Sequence, residues 1–186
     1  MSTSPDFASD AMVRALAQGM VALGLTPPPE AAGPARATVP LDVKRALVRS
    51  AIAQGGIACL PLLGRGLHAL AMEPTHLALT AARDGASLLV RWQRLERYIH
   101  SRHRIRVIRS GPGEAVVEHH ALEGPPPLAV EDLVVCGVLC ALLEAIGLAP
   151  VSAHVGTCAL YPQPEAPALA ARVAAGDTAT WHLRWR

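Results

Sequence analysis

The run LAVEDLVVCGVLCALLEAIG, residues 128–147, limits the possible folds more than any other part of the chain. Read as a helix to Ile146, it is apolar on nearly every side, through Leu133, Val134, Val135, Val138, Leu139, Leu142 and Leu143. A helix with no wet face belongs at the centre of a molecule and must be covered all round. Gly147 stops it. Glu131 and Asp132 fall in its first turn, where exposed backbone amides favour carboxylates. With Glu144, they also keep the run from reading as a membrane span.

The neighbouring segments supply the cover. LDVKRALVRSAIAQGG, residues 41–56, places Leu41, Ala46, Leu47 and Ile52 on one side of a helix that the GG pair ends. ACLPLLGRGLHALAM predicts one or two helical turns interrupted by Gly64 and Gly66. No Lys-Ser or Lys-Thr pair follows those glycines, so the segment is not a phosphate loop. EPTHLALTAAR predicts a short helix stopped at Asp84-Gly85. From Ala86 to His100, Leu88, Trp92, Leu95 and Ile99 recur at spacings of four, three and four, which is one helix face.

After Ser101 the period changes to two. In HRIRVIR, Ile105 and Val107 oppose Arg104 and Arg106, SGPG turns the chain, and EAVVEHHAL returns as a second strand. Glu118 is a natural cross-strand partner for one of the arginines. VSAHVGTCALYP predicts a strand, PEAPALAARVAAG a short helix, and TATWHLRWR a last strand with Trp181, Leu183 and Trp185 on one face. That last strand is either core or a sheet edge open to a neighbouring chain. The order predicts an α+β fold: several helices packed against a small antiparallel sheet of three or four strands, with a nearly all-apolar central helix. Residues 1–38 read as a leader helix and Pro-rich linker, and residues 39–186 as a single α+β domain.

Composition narrows the function. A formal net charge of +2 is too small to make the whole molecule a polyanion binder. Lys44 is the single lysine, and the other basic groups are arginines. The opening MSTSPDFASD lacks the basic and apolar regions of a secretion signal, so a cytoplasmic protein with reduced cysteines is expected. Cys136 and Cys140 lie inside the apolar run and read as packed small side chains. Among eight histidines there is no HExxH and no Cys/His spacing of a zinc site, so neither metal nor cofactor is expected. No nucleophile motif occurs. Ser101 beside His103 is too little to suggest one, and no enzyme activity is expected.

Seven arginines crowd between Arg91 and Arg109. A nucleic-acid surface built on Arg91, Arg94, Arg104 and Arg106 is the alternative reading, as part of a stand-alone binding or assembly module. Near-neutral charge and the facing Glu118 disfavour direct nucleic-acid contact. Ligand-binding candidates are Trp92, Tyr98, His100 and Arg102. Trp92 and Tyr98 form an aromatic pair in a chain with six aromatic residues, a suitable border for a mostly apolar ligand.

WQRLERYIHSRHRIRV, VVEHH and PPPLAVEDLVVCGVLCALLEAIG together resemble a known family. It is the effector-side N-terminal domain of AraC-type bacterial transcriptional regulators, of the non-cupin "arabinose-binding" class. Trp92, Glu96 and Tyr98 match a helix ending in an aromatic segment. Arg104 to His119 match a basic hairpin, Pro125 to Gly147 a proline-introduced apolar helix, and LPLLGRGL (residues 60–67) a short Gly-Arg segment. The resemblance spans residues 41–147. It implies binding of a small organic effector, a role in transcription regulation and action as a dimer. Partners would be a second copy or a DNA-binding domain, because the helix-turn-helix half is not in this sequence. The chain then reads either as a sensory half or as a stand-alone relative.

Limited proteolysis should cut TPPPEAAGPARATVP, residues 26–40, before any other segment. Full protection of residues 27–37 in the free protein, read by mass spectrometry of the fragments, would contradict the linker reading.

Overall fold

Helix α5 (Ala129–Ala145) buries eleven of its seventeen residues, and the other elements are arranged around it. The computed structural model describes residues 6–33, 35–70, 73–100 and 102–186. The described elements begin with β1 (Phe7–Ser9), α1 (Asp10–Ala22), β2 (Thr38–Pro40) and α2 (Leu41–Gly55), followed by a 3-10 helix (Ile57–Leu70). Helices α3 (Pro74–Thr80) and α4 (Gly85–Ile99) come next, then β3 (His103–Gly111), β4 (Glu114–Ala121) and α5. The chain closes with β5 (Ser152–Val155), β6 (Cys158–Tyr161), α6 (Ala166–Ala175) and β7 (Thr180–Arg184). This is the expected α+β arrangement of several helices on a small antiparallel sheet.

The segment expected as one or two turns is a fourteen-residue 3-10 helix. Runs of this length are uncommon because the tighter coil makes poorer hydrogen bonds. Here the coil is wedged between α1 and α5 at backbone contact. A Cβ on Gly137 would lie 1.9 Å from the Pro61 carbonyl oxygen, and one on Gly66 would lie 2.0 Å from that of Ala15. Only a thin element lined with glycine fits that gap. Ala71 and Met72, at the end of the expected segment, lie outside the described residues.

The main sheet has five strands in the order β3-β4-β7-β5-β6, all antiparallel. VSAHVGTCALYP, expected as one strand, is the β5–β6 hairpin, turning at Gly156 and Thr157. Cross-strand pairing sets Arg106 opposite Glu118, and the two side chains form the anticipated ion pair. The C-terminal strand takes the core alternative. Trp181 and Leu183 are fully buried, and β7 is paired on both sides by β4 and β5. No free edge is left on β7 for strand pairing with a neighbour; the edges of this sheet are β3 and β6.

The leader is not set apart from the rest. Val13, Leu16 and Met20 of α1 belong to the same continuous core as α5 and the sheet. β1 pairs with β2 in a two-stranded ribbon, and Ala8 bridges to His100 at the end of α4. The connection between α1 and β2 is largely exposed, with a short 3-10 turn at Pro29–Ala32.

Gly137→Ala should destabilise the protein by about 1–3 kcal/mol, the usual range for overpacking a core. Urea denaturation followed by circular dichroism measures it. A loss within a few tenths of a kcal/mol would show that the contact between α5 and the 3-10 helix yields without cost.

Candidate functional site

One end of α5 meets a group of buried polar side chains. Lys44, Glu96, His100, His103, His119, Glu131 and Asp132 are all at most 6% exposed. They arrive from five elements of the fold. Lys44 comes from the first turns of α2, Glu96 from α4, and His100 from the residue that caps α4. His103 opens β3, His119 ends the inward row of β4, and the two acids start α5.

The α4-to-β3 corner explains how these side chains are brought together. Asp84 and Ser87 cap the start of α4 reciprocally, which fixes its register. Trp92 and Glu96 are then one turn apart on the buried face, and the indole Nε1 donates to Glu96 Oε1 at 2.7 Å. The Ile105 amide donates to the same oxygen at 2.5 Å, so Glu96 ties the start of β3 to the helix. His100 leaves the helical conformation at φ −147° and ψ 141°. Its Nδ1 accepts from the amides of Arg102 and His103, both at 3.3 Å. That brings the rings of His100 and His103 into a stack with centroids 4.3 Å apart. His119 stands edge-on to His103 at 5.5 Å.

The acids at the start of α5 have two different settings. Glu131 Oε1 lies 3.4 Å from Arg45 Nε, and Oε2 accepts from the Leu128 amide at 3.1 Å and lies 3.8 Å from His103 Nδ1. Lys44, the Leu128 amide and His103 hold it below the usual carboxylate range despite its burial. Asp132 Oδ1 lies 2.8 Å from His119 Nδ1, and its Oδ2 accepts from the Thr178 hydroxyl at 2.7 Å. Burial pushes Asp132 up to about 7, and Glu96 also to about 7. Burial likewise lowers the three imidazoles, His100 to about 2, His103 to about 4 and His119 to about 3. All three rings are therefore neutral at pH 7. Burial also lowers Lys44, against the pull of Glu131.

Beside this cluster lies a cavity of about 40 Å³. Its polar wall is Lys44, Trp92, Glu96, His100, His103 and His119. Its apolar wall is Ala8, Met12, Val13 and Leu16 from the leader, with Val134, Val135 and Val138 from α5. Since roughly 10–15 Å³ of such space admits one water, the cavity suits a few waters or a molecule of a few heavy atoms.

Of the four ligand-binding candidates, Trp92 and His100 line this cavity, and Tyr98 and Arg102 do not. Tyr98, two residues beyond Glu96, falls on the outer face of α4. It is 54% exposed, beneath the Arg97 guanidinium. Arg102 is half-buried at the surface, with Nε 3.9 Å from the Asp6 carboxylate. The arginines of the alternative reading are mostly engaged. Arg91 donates to the Ala78 carbonyl, Arg104 to the carbonyls of His100 and His103, and Arg106 pairs with Glu118, while Arg94 is exposed. Ser101 lies outside the described residues. Among the described residues, no three His, Cys, Asp or Glu side chains are placed to hold a metal ion.

Lys44, Glu96, His103, His119 and Glu131 were not expected at a site. Two signals for them are present in the sequence. Lys44 stands among Leu41, Leu47 and Val48 as the only lysine of the chain, and Glu96 falls on the apolar face defined by Leu88, Trp92 and Ile99. The meeting of His119 with Asp132 depends on the fold and has no local signature. No protein-family model matches the sequence and no curated protein proves similar to it, so the likeness to AraC-type effector domains rests on the sequence pattern.

The Glu96 carboxyl is raised on folding from 4.5 to about 7, so the folded state holds its proton more tightly than the unfolded chain. Its contribution is full below the unfolded value and is lost as pH rises towards 7. Wild type minus Glu96→Gln should therefore be a larger stability difference near about pH 5 than near about pH 8, by urea denaturation. A difference that stays constant or grows with pH would show that Glu96 is ionised throughout.

Proposed function

We propose that this chain is a sensing domain that binds a small organic molecule in the cavity between α1, α4 and α5. The observation that carries the reading is the cavity wall itself. Buried titratable side chains converge there from α2, α4, β3 and β4, facing an apolar wall from α1 and α5. Polar groups collected in one small buried space, with an apolar surface opposite, are the usual makings of a ligand site. As pure scaffolding they are costly, because each buried charge or imidazole needs compensation.

The leader gives such a site a way to report occupancy. Ala8, Met12, Val13 and Leu16 close the cavity, and β1 is held there by the β2 ribbon and the bridge from Ala8 to His100. A ligand that touches both α5 and α1 stabilises the docked leader by its own binding free energy. The likeness of residues 41–147 to the effector side of AraC-type regulators supports a regulatory role of this kind, with signalling through contacts to a second copy or to a DNA-binding domain. Since β7 lies inside the sheet, those contacts would fall on β3, β6 or the helices.

A thermal-shift screen of small acids, amides, alcohols and amines tests the reading. At least one class should raise the melting temperature of the wild type, and Val138→Phe, which fills the cavity, should abolish that rise while keeping the far-UV spectrum. If no class moves the wild type, or if the rise persists in a folded Val138→Phe protein, the cavity is not the ligand site.

A further inference from the structure

We propose that the ligand is a short-chain carboxylate, held by Lys44 and His100 with its hydrocarbon end against the α1 and α5 wall; this rests on the cavity being the ligand site.

His100 provides the first reason. Its ring is 6% exposed, and its Nε2 is buried with no hydrogen-bond partner. Nδ1 already accepts two backbone amides. A neutral imidazole accepting at Nδ1 carries its proton on Nε2, so the unpartnered atom is a donor. A buried donor without an acceptor costs about 1–3 kcal/mol, which a ligand oxygen would recover.

Lys44 provides the second. It is the only lysine in a chain whose other cationic side chains are arginine, and it is buried at the cavity wall. Among the described residues it forms no ion pair within 4 Å. The acid with the strongest pull on it, Glu131, has its oxygens turned to Arg45 and to the Leu128 amide. The ammonium is left with long-range compensation and no contact partner. A ligand bearing one negative charge supplies that partner.

The other polar groups of the wall are partly engaged. Glu96 spends Oε1 on two N–H donors, and the acid of the His119–Asp132 pair faces Thr178 and the imidazole. Among the described residues, the wall groups without a hydrogen-bond partner are the Lys44 ammonium, the His100 N–H, His103 Nδ1 and Glu96 Oε2; the cation together with the N–H donor suits an anion with two oxygens. Opposite them Met12, Val13, Leu16, Val134 and Val138 offer only carbon and sulfur. The space admits an acid of roughly two to four carbons, being a few water volumes across.

Isothermal titration of the wild type with acetate, propionate and butyrate, and with the amide and amine of the same chain lengths, tests the class. At least one acid should bind about tenfold to a hundredfold more tightly than its amide, the worth of one charge-assisted hydrogen bond. Lys44→Met should erase that preference, and His100→Phe should weaken the acid by a similar factor. An amide or amine that binds as well as the acid overturns the carboxylate assignment and leaves the cavity as the site. If acids, amides and amines all fail to bind while an alcohol raises the melting temperature, the carboxylate assignment falls alone; if no class binds, the cavity reading falls with it. The comparison of acid with amide uses the wild type alone, so it decides the matter even where Lys44→Met does not fold.

Discussion

Covering α5 around its full circumference is the requirement on which the rest of the structure depends. Its residues are apolar on all sides, and a helix of that kind gains from burial only when every side meets another apolar surface. The 3-10 helix covers it most extensively, with α3, α4, β5 and β6 completing the contacts. Close approach is achieved by removing side chains. Gly137 on α5 faces the Pro61 carbonyl, and Gly64 on the 3-10 helix faces the Gly137 carbonyl, which a Cβ would meet at 2.3 Å. The 3-10 helix in turn needs cover on its far side, and α1 supplies it. The leader is thereby drawn into the core by a demand that originates at α5.

The same burial imposes a polar problem at the N-terminal end of α5. Glu131 and Asp132 suit the helix dipole, yet they start a helix that is already inside the protein. Two carboxyls there cannot both stay ionised without partners. The structure resolves this unequally. Glu131 receives Arg45, a backbone amide and the nearby Lys44 and stays anionic, whereas Asp132 receives a hydroxyl and an imidazole and holds its proton up to about 7. Three neutral imidazoles surround them without adding charge. The cluster therefore keeps a buried region close to electrical balance while leaving one ammonium at a cavity wall.

Much of the fold was legible in the sequence because its signals are local. The apolar run 128–147 and the 3.6-residue period of 86–100 are each contained in a single segment, and so is the alternation on both sides of SGPG. The β5–β6 hairpin was not legible, since a two-residue turn at Gly156 and Thr157 divides strands of only four residues. The 3-10 helix was misread for a related reason. Glycines that read as interruptions are contact points, and their purpose appears only once α1 and α5 flank them. At the site, Trp92 and His100 could be singled out from the composition around them. Helix periodicity, applied to Tyr98, places it on the outer face with Arg97, but its aromatic character pointed the other way. His103, His119 and Asp132 meet through sheet pairing and helix docking, which no short window of sequence encodes.

The choice of lysine at position 44 fits the size and dryness of the space it borders. Arginine, used at every other cationic position of the chain, carries a broad planar head with five donors and does not give up its charge. In a cavity of about 40 Å³ that head would fill the space and leave most of its donors without acceptors. Lysine presents a compact head, and burial lowers its proton affinity, which limits the cost of the empty state. A small anion arriving beside Lys44 reverses the desolvation penalty on the ammonium and gains a full ion pair in a medium that screens it weakly. Lysine at this position thus costs less than arginine would while the pocket is empty, and under the carboxylate assignment it supplies the selectivity for charge.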